Sequence, residues 1–354
     1  MGKIAVIGTV GIPACYGGFE SLVENLTKNS SNKIEYTVFC SSKDYNNKLS
    51  FYNNAKLIYL PLRANGVQSI PYDILSLLKC LRIKPDVVLI LGVSGCIFLP
   101  LFKLFSRSKV VTNIDGLEWK RNKWGQCTRQ FLKWSESLAA KFSDVVITDN
   151  QAISDYVLKE YAVKSQTIAY GGDHAIRHLS ADSTQEIFDL GLCRIEPENN
   201  VVMILEAFSK SKRKLKFVGN WQASEFGRIL KKQYSIHDNI ELLEPIYDLD
   251  RLYQLRIQCS RYIHGHSAGG TNPSLVEMMH FGIPIFAFDC SFNRYSTDDK
   301  AHYFNSIEEL SRLMNSTNND ELKKNALAMK DIALKRYTWS KITENYESIY
   351  LSFS

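Results

Sequence analysis

An α/β protein of two doubly wound, Rossmann-like domains is predicted by three features of the sequence. Its 354 residues suffice for about two domains at roughly 150 residues each. Short apolar runs alternate with amphipathic stretches along the chain, the pattern of a parallel sheet wrapped by helices. One glycine-rich turn follows the opening strand and another follows a strand late in the chain, at positions where open α/β sheets hold ligands.

In the first half the candidate strands are Lys3–Ile7, Tyr36–Phe39, Leu57–Leu60, Val87–Leu91, Val110–Asn113 and Val145–Ile147. In the second they are Phe188–Leu192, Leu215–Val218, Ile240–Leu242, Tyr262–His264 and Ile285–Phe288. Between the sets, a strand-like Thr167–Tyr170 runs into Gly171-Gly172, and an irregular Ala181–Glu186 follows. The boundary is therefore expected there, with domains at 1–170 and 171–336 facing one another across a cleft. The last segment puts Trp339, Ile342, Tyr346, Ile349 and Tyr350 on one helical face, so residues 337–354 are expected to pack back on the first domain.

Apolar residues at 45% and charged residues at 23% exclude a disordered or collagen-like chain. The net charge of +6 is too modest for a dedicated nucleic-acid binder, and no recognised nucleic-acid motif accompanies it. Its distribution is uneven. Between Lys79 and Lys133 eleven basic residues face only Asp86, Asp115 and Glu118, a local charge of +8, with Phe98, Phe102, Trp119 and Trp124 interspersed. Such a face suits a lipid surface, a diphosphate-linked substrate or nucleic acid, or else is merely solvated. The sixteen uncharged residues Val87–Phe102 fall short of the roughly 20 needed to span a bilayer and contain Gly92, Gly95 and Pro100. They read as a buried strand, a glycine turn and a short helix, with shallow membrane contact by Ile97, Phe98, Leu101 and Phe102 as the other reading. Eight cysteines without a CxxC pair read as reduced core thiols of a cytosolic protein.

The strongest local signal is His264-Gly265-His266-Ser267-Ala268-Gly269-Gly270-Thr271-Asn272-Pro273-Ser274-Leu275-Val276-Glu277, which follows a strand and opens a helix. Asn272 suits the N-cap and Pro273 the first helical position. Gly269 and Gly270 admit a close ligand, and the free N–H groups and dipole of a helix start favour phosphate. Glu277, about one turn inside the helix, is placed to accept from sugar hydroxyls. Taken alone, the turn is equally an unliganded helix cap. The opening strand ends in Gly8-Thr9-Val10-Gly11-Ile12-Pro13-Ala14-Cys15-Tyr16-Gly17-Gly18-Phe19-Glu20, which has neither dinucleotide nor P-loop spacing. Arg194 stands at a strand's carboxyl end, where a guanidinium fits a diphosphate or pairs on the surface. Asp248-Leu249-Asp250 is formally a DxD, but it begins an apparent helix and suits a cap. His264 and His266 lack a third metal ligand.

With these residues in view, the chain resembles the GT-B glycosyltransferases of family 4, and among them the bacterial rhamnosyltransferases of capsule and O-antigen assembly. The resemblance rests on Ile7–Ala14 with Tyr16–Glu20, on Asn113-Ile114-Asp115-Gly116-Leu117-Glu118-Trp119, and on His264 to Glu277. It implies that Gly17 and Gly18 approach the donor diphosphate, while Arg194 and the helix after Gly270 hold it from the second domain. It implies too that Glu277, matching the second glutamate of a Glu-x7-Glu motif, binds the nucleotide ribose. Asp115 stands where many members carry a histidine near the reacting sugar, and Glu118, Lys120 and Arg121 would line the acceptor side. Two positions depart from the family. Gly269 replaces the first glutamate and Asn199 replaces a phosphate-binding lysine, so Gly270, Thr271 and Asn272 enter the expected donor site with them.

The resemblance implies retaining transfer of a hexose, L-rhamnose from dTDP-β-L-rhamnose, to a saccharide on undecaprenyl diphosphate. The protein would then work at the inner face of the cell membrane, without a metal, a further cofactor or nucleic acid. Arg194, the glycine-turn N–H groups and the helix dipole would stabilise the departing diphosphate, and Asp115 would orient a hydroxyl. Two rival readings are a nucleotide-sugar 2-epimerase of the same architecture and a non-catalytic sugar-nucleotide-binding protein.

Overall fold

A computed structural model describes residues 1–14, 17–114, 116–117, 119, 125–179 and 186–353, and the chain divides into two α/β units. The first comprises Met1–Ala169 together with the residues from Trp339 onward, and the second is Tyr170–Thr338.

Along the first unit run β1 (Gly2–Ile7), α1 (Gly18–Lys28), β2 (Ile34–Ser41), β3 (Phe51–Tyr52), β4 (Ala55–Leu60), α2 (Ser69–Ile83) and β5 (Val87–Leu91). There follow α3 (Leu99–Phe105), β6 (Lys109–Ile114), α4 (Gln126–Phe142), β7 (Val145–Thr148), α5 (Gln151–Tyr161) and β8 (Ser165–Thr167). The second unit contains β9 (Asp189–Leu192), α6 (Val201–Ser209), β10 (Leu215–Val218), α7 (Glu225–Tyr234), β11 (Ile240–Leu243), α8 (Leu249–Gln258) and β12 (Arg261–His264). It continues through α9 (Pro273–His280), β13 (Ile285–Phe288), α10 (Ser291–Ser296), β14 (His302–Phe304), α11 (Ile307–Ser316) and α12 (Asn319–Arg336), before α13 (Trp339–Leu351) returns to the first unit.

The first sheet has the order β3-β4-β2-β1-β5-β6-β7-β8, parallel throughout except where β3 runs antiparallel to β4. Every side chain of β5, Val-Val-Leu-Ile-Leu, is buried, as a strand covered on both faces requires. The second sheet is wholly parallel, β11-β10-β9-β12-β13-β14. Its core gathers Phe208, Phe217, Trp221 and Phe286, and the Trp221 indole N–H donates to the Leu243 carbonyl at 2.9 Å.

All five residues expected on one face of the last helix are buried: Trp339, Ile342, Tyr346, Ile349 and Tyr350. α13 packs on α1 and β1, and the Tyr350 ring meets Tyr36 edge-on with centroids 6.3 Å apart. Each such side chain contributes about 1.5–3 kcal/mol of burial.

Some expectations need correction. β3, β8 and β14 are short edge strands that the pattern did not single out. The strand-like Thr167–Tyr170 pairs only through Thr167, because after Ile168 donates to the Thr148 carbonyl the chain leaves the sheet. Phe102 is fully buried beneath α3, so it cannot touch a membrane. The outward apolar residues of that helix are Leu101, Leu104 and Phe105. Cys127 is exposed and Cys193 and Cys290 are half-buried, so the cysteines are not uniformly core thiols.

Candidate functional site

In the second sheet β9 and β12 lie side by side, with β10 and β11 on one flank and β13 and β14 on the other. This is the reversal of strand order beyond whose carboxyl edge open α/β sheets bind ligands. Arg194 follows β9 and the His264–Glu277 segment follows β12, so topology brings the two motifs to one edge.

Hydrogen bonds stitch the two loops together. The Ser267 N–H donates to the Glu198 carbonyl at 3.0 Å and its hydroxyl to the same oxygen at 2.7 Å. The Asn200 side chain donates to the Gly265 carbonyl at 2.8 Å. A Cβ at Gly265 would stand 2.1 Å from the Asn199 carbonyl oxygen, so residue 265 must be glycine for the loops to meet. The Tyr262 hydroxyl lies 3.2 Å from the Leu192 carbonyl oxygen and 3.0 Å from Ser274 Oγ, joining the end of β9 to the first turn of α9.

Arg194 itself is half-exposed. Its guanidinium has Glu196 at 3.7 Å, an open surface pair that is readily exchanged for a better anion. Asn199, expected on the donor, is buried and donates to the Arg194 carbonyl at 2.7 Å. It shapes the loop that carries Arg194. Likewise the Asn272 side chain is spent as the α9 N-cap, accepting from the Ser274 N–H at 3.0 Å and the Ser274 hydroxyl at 2.7 Å. Thr271 is buried, whereas Gly269 and Gly270 are both partly exposed.

Glu277 sits on α9 with two partners that the sequence did not reveal. Arg256, a buried residue of α8, pairs with its Oε2, and His174 Nε2 lies 3.3 Å from its Oε1. His174 belongs to a 3-10 turn at Asp173–Ala175. That turn reaches α9 because Gly172 has no side chain: a Cβ there would be 2.7 Å from the Glu277 backbone nitrogen. Burial works to raise the Glu277 pKa, but Arg256 and His174 outweigh it and hold the carboxyl below its ordinary range, so it is ionised at neutral pH. Asp248 caps α8, accepting from the N–H groups of Asp250 and Arg251, and Asp250 pairs with Arg177, which accounts for both carboxylates of the DxD. His264 and His266 stack with centroids 4.4 Å apart, and burial drives the His264 pKa well down, so this imidazole is neutral.

In the first unit Gly17 and Gly18 stand at the start of α1. The glycine at 17 is demanded by φ of 135° and by Glu20, whose Oε2 lies 2.0 Å from where a Cβ would be. Glu20 also accepts from the Thr9 hydroxyl at 3.0 Å and the Val10 N–H at 2.9 Å. The Glu20 carboxylate thus lies against the Gly17 backbone, beside the turn where a donor diphosphate is expected. Asp115, Glu118, Lys120 and Arg121 lie outside the described residues. Within the same stretch Trp119 is described. Its indole is among the groups stabilising Glu136, a buried carboxylate that accepts from the Tyr161 hydroxyl at 2.6 Å and the Tyr156 hydroxyl at 2.9 Å. Burial raises the Glu136 pKa in spite of these donors.

Comparison with known proteins agrees with this architecture. Residues 180–336 match the family model described as glycosyl transferases group 1, and residues 1–173 match a domain of unknown function (DUF1972). No curated protein matches the chain. Among solved structures, a sucrose-phosphate synthase from Thermosynechococcus elongatus superimposes with a TM-score of 0.81 at 15% identity, covering 99% of each chain. HepE from Anabaena, in complex with UDP-glucose, does so with a TM-score of 0.73 at 14% identity, covering 99% of each chain. A glycosyltransferase from Rickettsia africae gives 0.73 at 14% identity, covering 99% of this chain and 98% of its own. The fold is that of the GT-B glycosyltransferases, and the match to the glycosyl transferases group 1 model lies within the second unit.

Proposed function

We propose that the protein is a retaining glycosyltransferase that moves a hexose, L-rhamnose from dTDP-β-L-rhamnose, to a lipid-diphosphate-linked saccharide in bacterial surface-polysaccharide synthesis. The observation that carries the reading is the convergence of Arg194, the Gly269-Gly270 backbone and the start of α9 on one reversal edge, with ionised Glu277 one turn along that helix. Arg194 supplies a planar, permanently charged fork to the diphosphate. The α9 N-terminus adds its dipole. Glu277 accepts from the pentose.

In the proposed step the bond from the sugar's anomeric carbon to the diphosphate oxygen breaks while the acceptor hydroxyl oxygen bonds to that carbon from the same face. The acceptor proton passes to the departing phosphate oxygen. Negative charge grows on the diphosphate, and the groups on this edge stabilise it where it develops. Asp115 is proposed to orient a hydroxyl, with Glu118, Lys120 and Arg121 on the acceptor side.

An acceptor carried on a lipid diphosphate calls for a surface that meets a bilayer. Among the described residues no helix is long and apolar enough to cross one. On α3, however, Leu101, Leu104 and Phe105 are exposed beside Lys103 and Arg107, and this apolar and basic face is proposed to rest on anionic lipid. The test is a screen of dTDP-, UDP- and GDP-hexoses against lipid-linked glucose and N-acetylglucosamine, read by product mass. A lipid-linked product one deoxyhexose heavier with the dTDP donor supports the reading, and donor consumption with all label left water-soluble overturns it.

A further inference from the structure

We infer that Arg256 and His174 divide the Glu277 carboxylate between them so that it offers one outward acceptor, leaving the donor site indifferent to the pentose 2′-hydroxyl. The inference rests on the nucleotide-sugar reading above and adds a specificity that the reading lacks.

A carboxylate has two oxygens and about four lone-pair positions. A ribose presents neighbouring 2′- and 3′-hydroxyls, and one carboxylate reads both by giving an oxygen to each. Here the oxygens are not equivalent. Oε2 is turned to Arg256, whose side chain is 7% exposed and whose guanidinium is held 5.9 Å from the centre of the Phe281 ring. That partner comes from the protein's interior and has nowhere else to go. Oε1 faces His174, whose side chain is 39% exposed, so the more open of the two partners stands on this side of the carboxylate. With His174 occupying one of its lone pairs, Oε1 has one position left. One hydroxyl is served. A 2′-deoxynucleotide therefore gives up nothing that this site would have used.

Arg256 is on this account a positioning residue, and His174 a specificity-determining one. The experiment is calorimetric titration of the full-length protein with UDP and with dUDP, which differ only in that hydroxyl. The expected dissociation constants agree within about threefold, whereas a charge-assisted hydrogen bond to the 2′-hydroxyl would separate them by about tenfold or more. UDP binding tighter by that margin overturns the inference and leaves the nucleotide reading standing. Binding of neither overturns both. In His174→Ala the second position on Oε1 opens, and the preference for UDP over dUDP is expected to rise about fivefold. An unmoved ratio overturns the role given to His174. Arg256→Met, which frees Oε2, is expected to shift the ratio in the same direction. Because it leaves a buried carboxylate unpaired, His174→Ala carries the test if that variant does not fold.

Discussion

Asn113, the penultimate residue of β6, donates its side-chain amide to the Tyr346 hydroxyl at 2.7 Å. The bond ties the strand that leads into Asp115 to the last helix of the chain. It is buried, and the other polar atom of the Asn113 side chain, Oδ1, has no hydrogen-bond partner. Tyr346→Phe therefore strands the amide, and a loss of about 1–3 kcal/mol in urea denaturation is expected. A variant as stable as the parent would show that the bond contributes nothing.

Arg194 is expected to act on charge that appears only as the diphosphate departs. Arg194→Ala should lower kcat by about 10²–10³. Arg194→Lys should recover part of that, since it restores the charge without the planar fork. Because the side chain is half-exposed and only loosely paired, melting temperature should hardly move in either variant. Wild-type turnover in Arg194→Ala would remove this residue from the mechanism.

At Gly265 the contact with Asn199 leaves no room for a methyl group. Gly265→Ala must push the β12 loop away from the loop carrying Arg194. The expected result is a folded protein with donor nucleotide affinity reduced about tenfold, since small displacements of positioning groups are costly. Equal Kd values for UDP or dTDP in variant and parent would contradict it.

A stability profile follows from Asp73 on α2. Burial raises its carboxyl to about 8 from an ordinary 3.8, although the Gly95 N–H donates to it at 3.1 Å. The folded chain therefore binds this proton more tightly than the unfolded chain does. Its contribution is fully present below about pH 4 and is lost as pH rises through about 8. Asp73→Asn, which cannot ionise, should be the more stable protein at pH 9 by a few kcal/mol and should lose less stability between pH 5 and pH 9. Parallel urea-midpoint profiles for the two proteins would refute the assignment.

The central strands were legible because burial on both faces forces a run such as Val-Val-Leu-Ile-Leu, which little else in a soluble chain produces. β3, β8 and β14 were not, because edge strands of two or three residues carry no such run. The cap at Asn272-Pro273 was readable from local chemistry alone. Arg256 was invisible: it is one of two arginines on a helix of mixed composition, and only folding turns it inward onto Glu277. Asn199 was legible only by its place in a motif, and the bond its short amide makes to the Arg194 carbonyl was not. Phe102 and Leu101 are adjacent and equally apolar, and helix geometry alone decides which is buried.

The return of α13 to the first unit also sets an order of assembly. A ribosome delivers every residue of the second unit as one uninterrupted stretch, whereas the first stays short of a helix until that stretch has been delivered. Nascent β1 and α1 must wait, with the surface meant for Trp339, Ile342 and Tyr346 uncovered, while a neighbour begun later is free to finish earlier. Ribosome stalling upstream of Trp339 would release a polypeptide with one half complete and the older half still sticky.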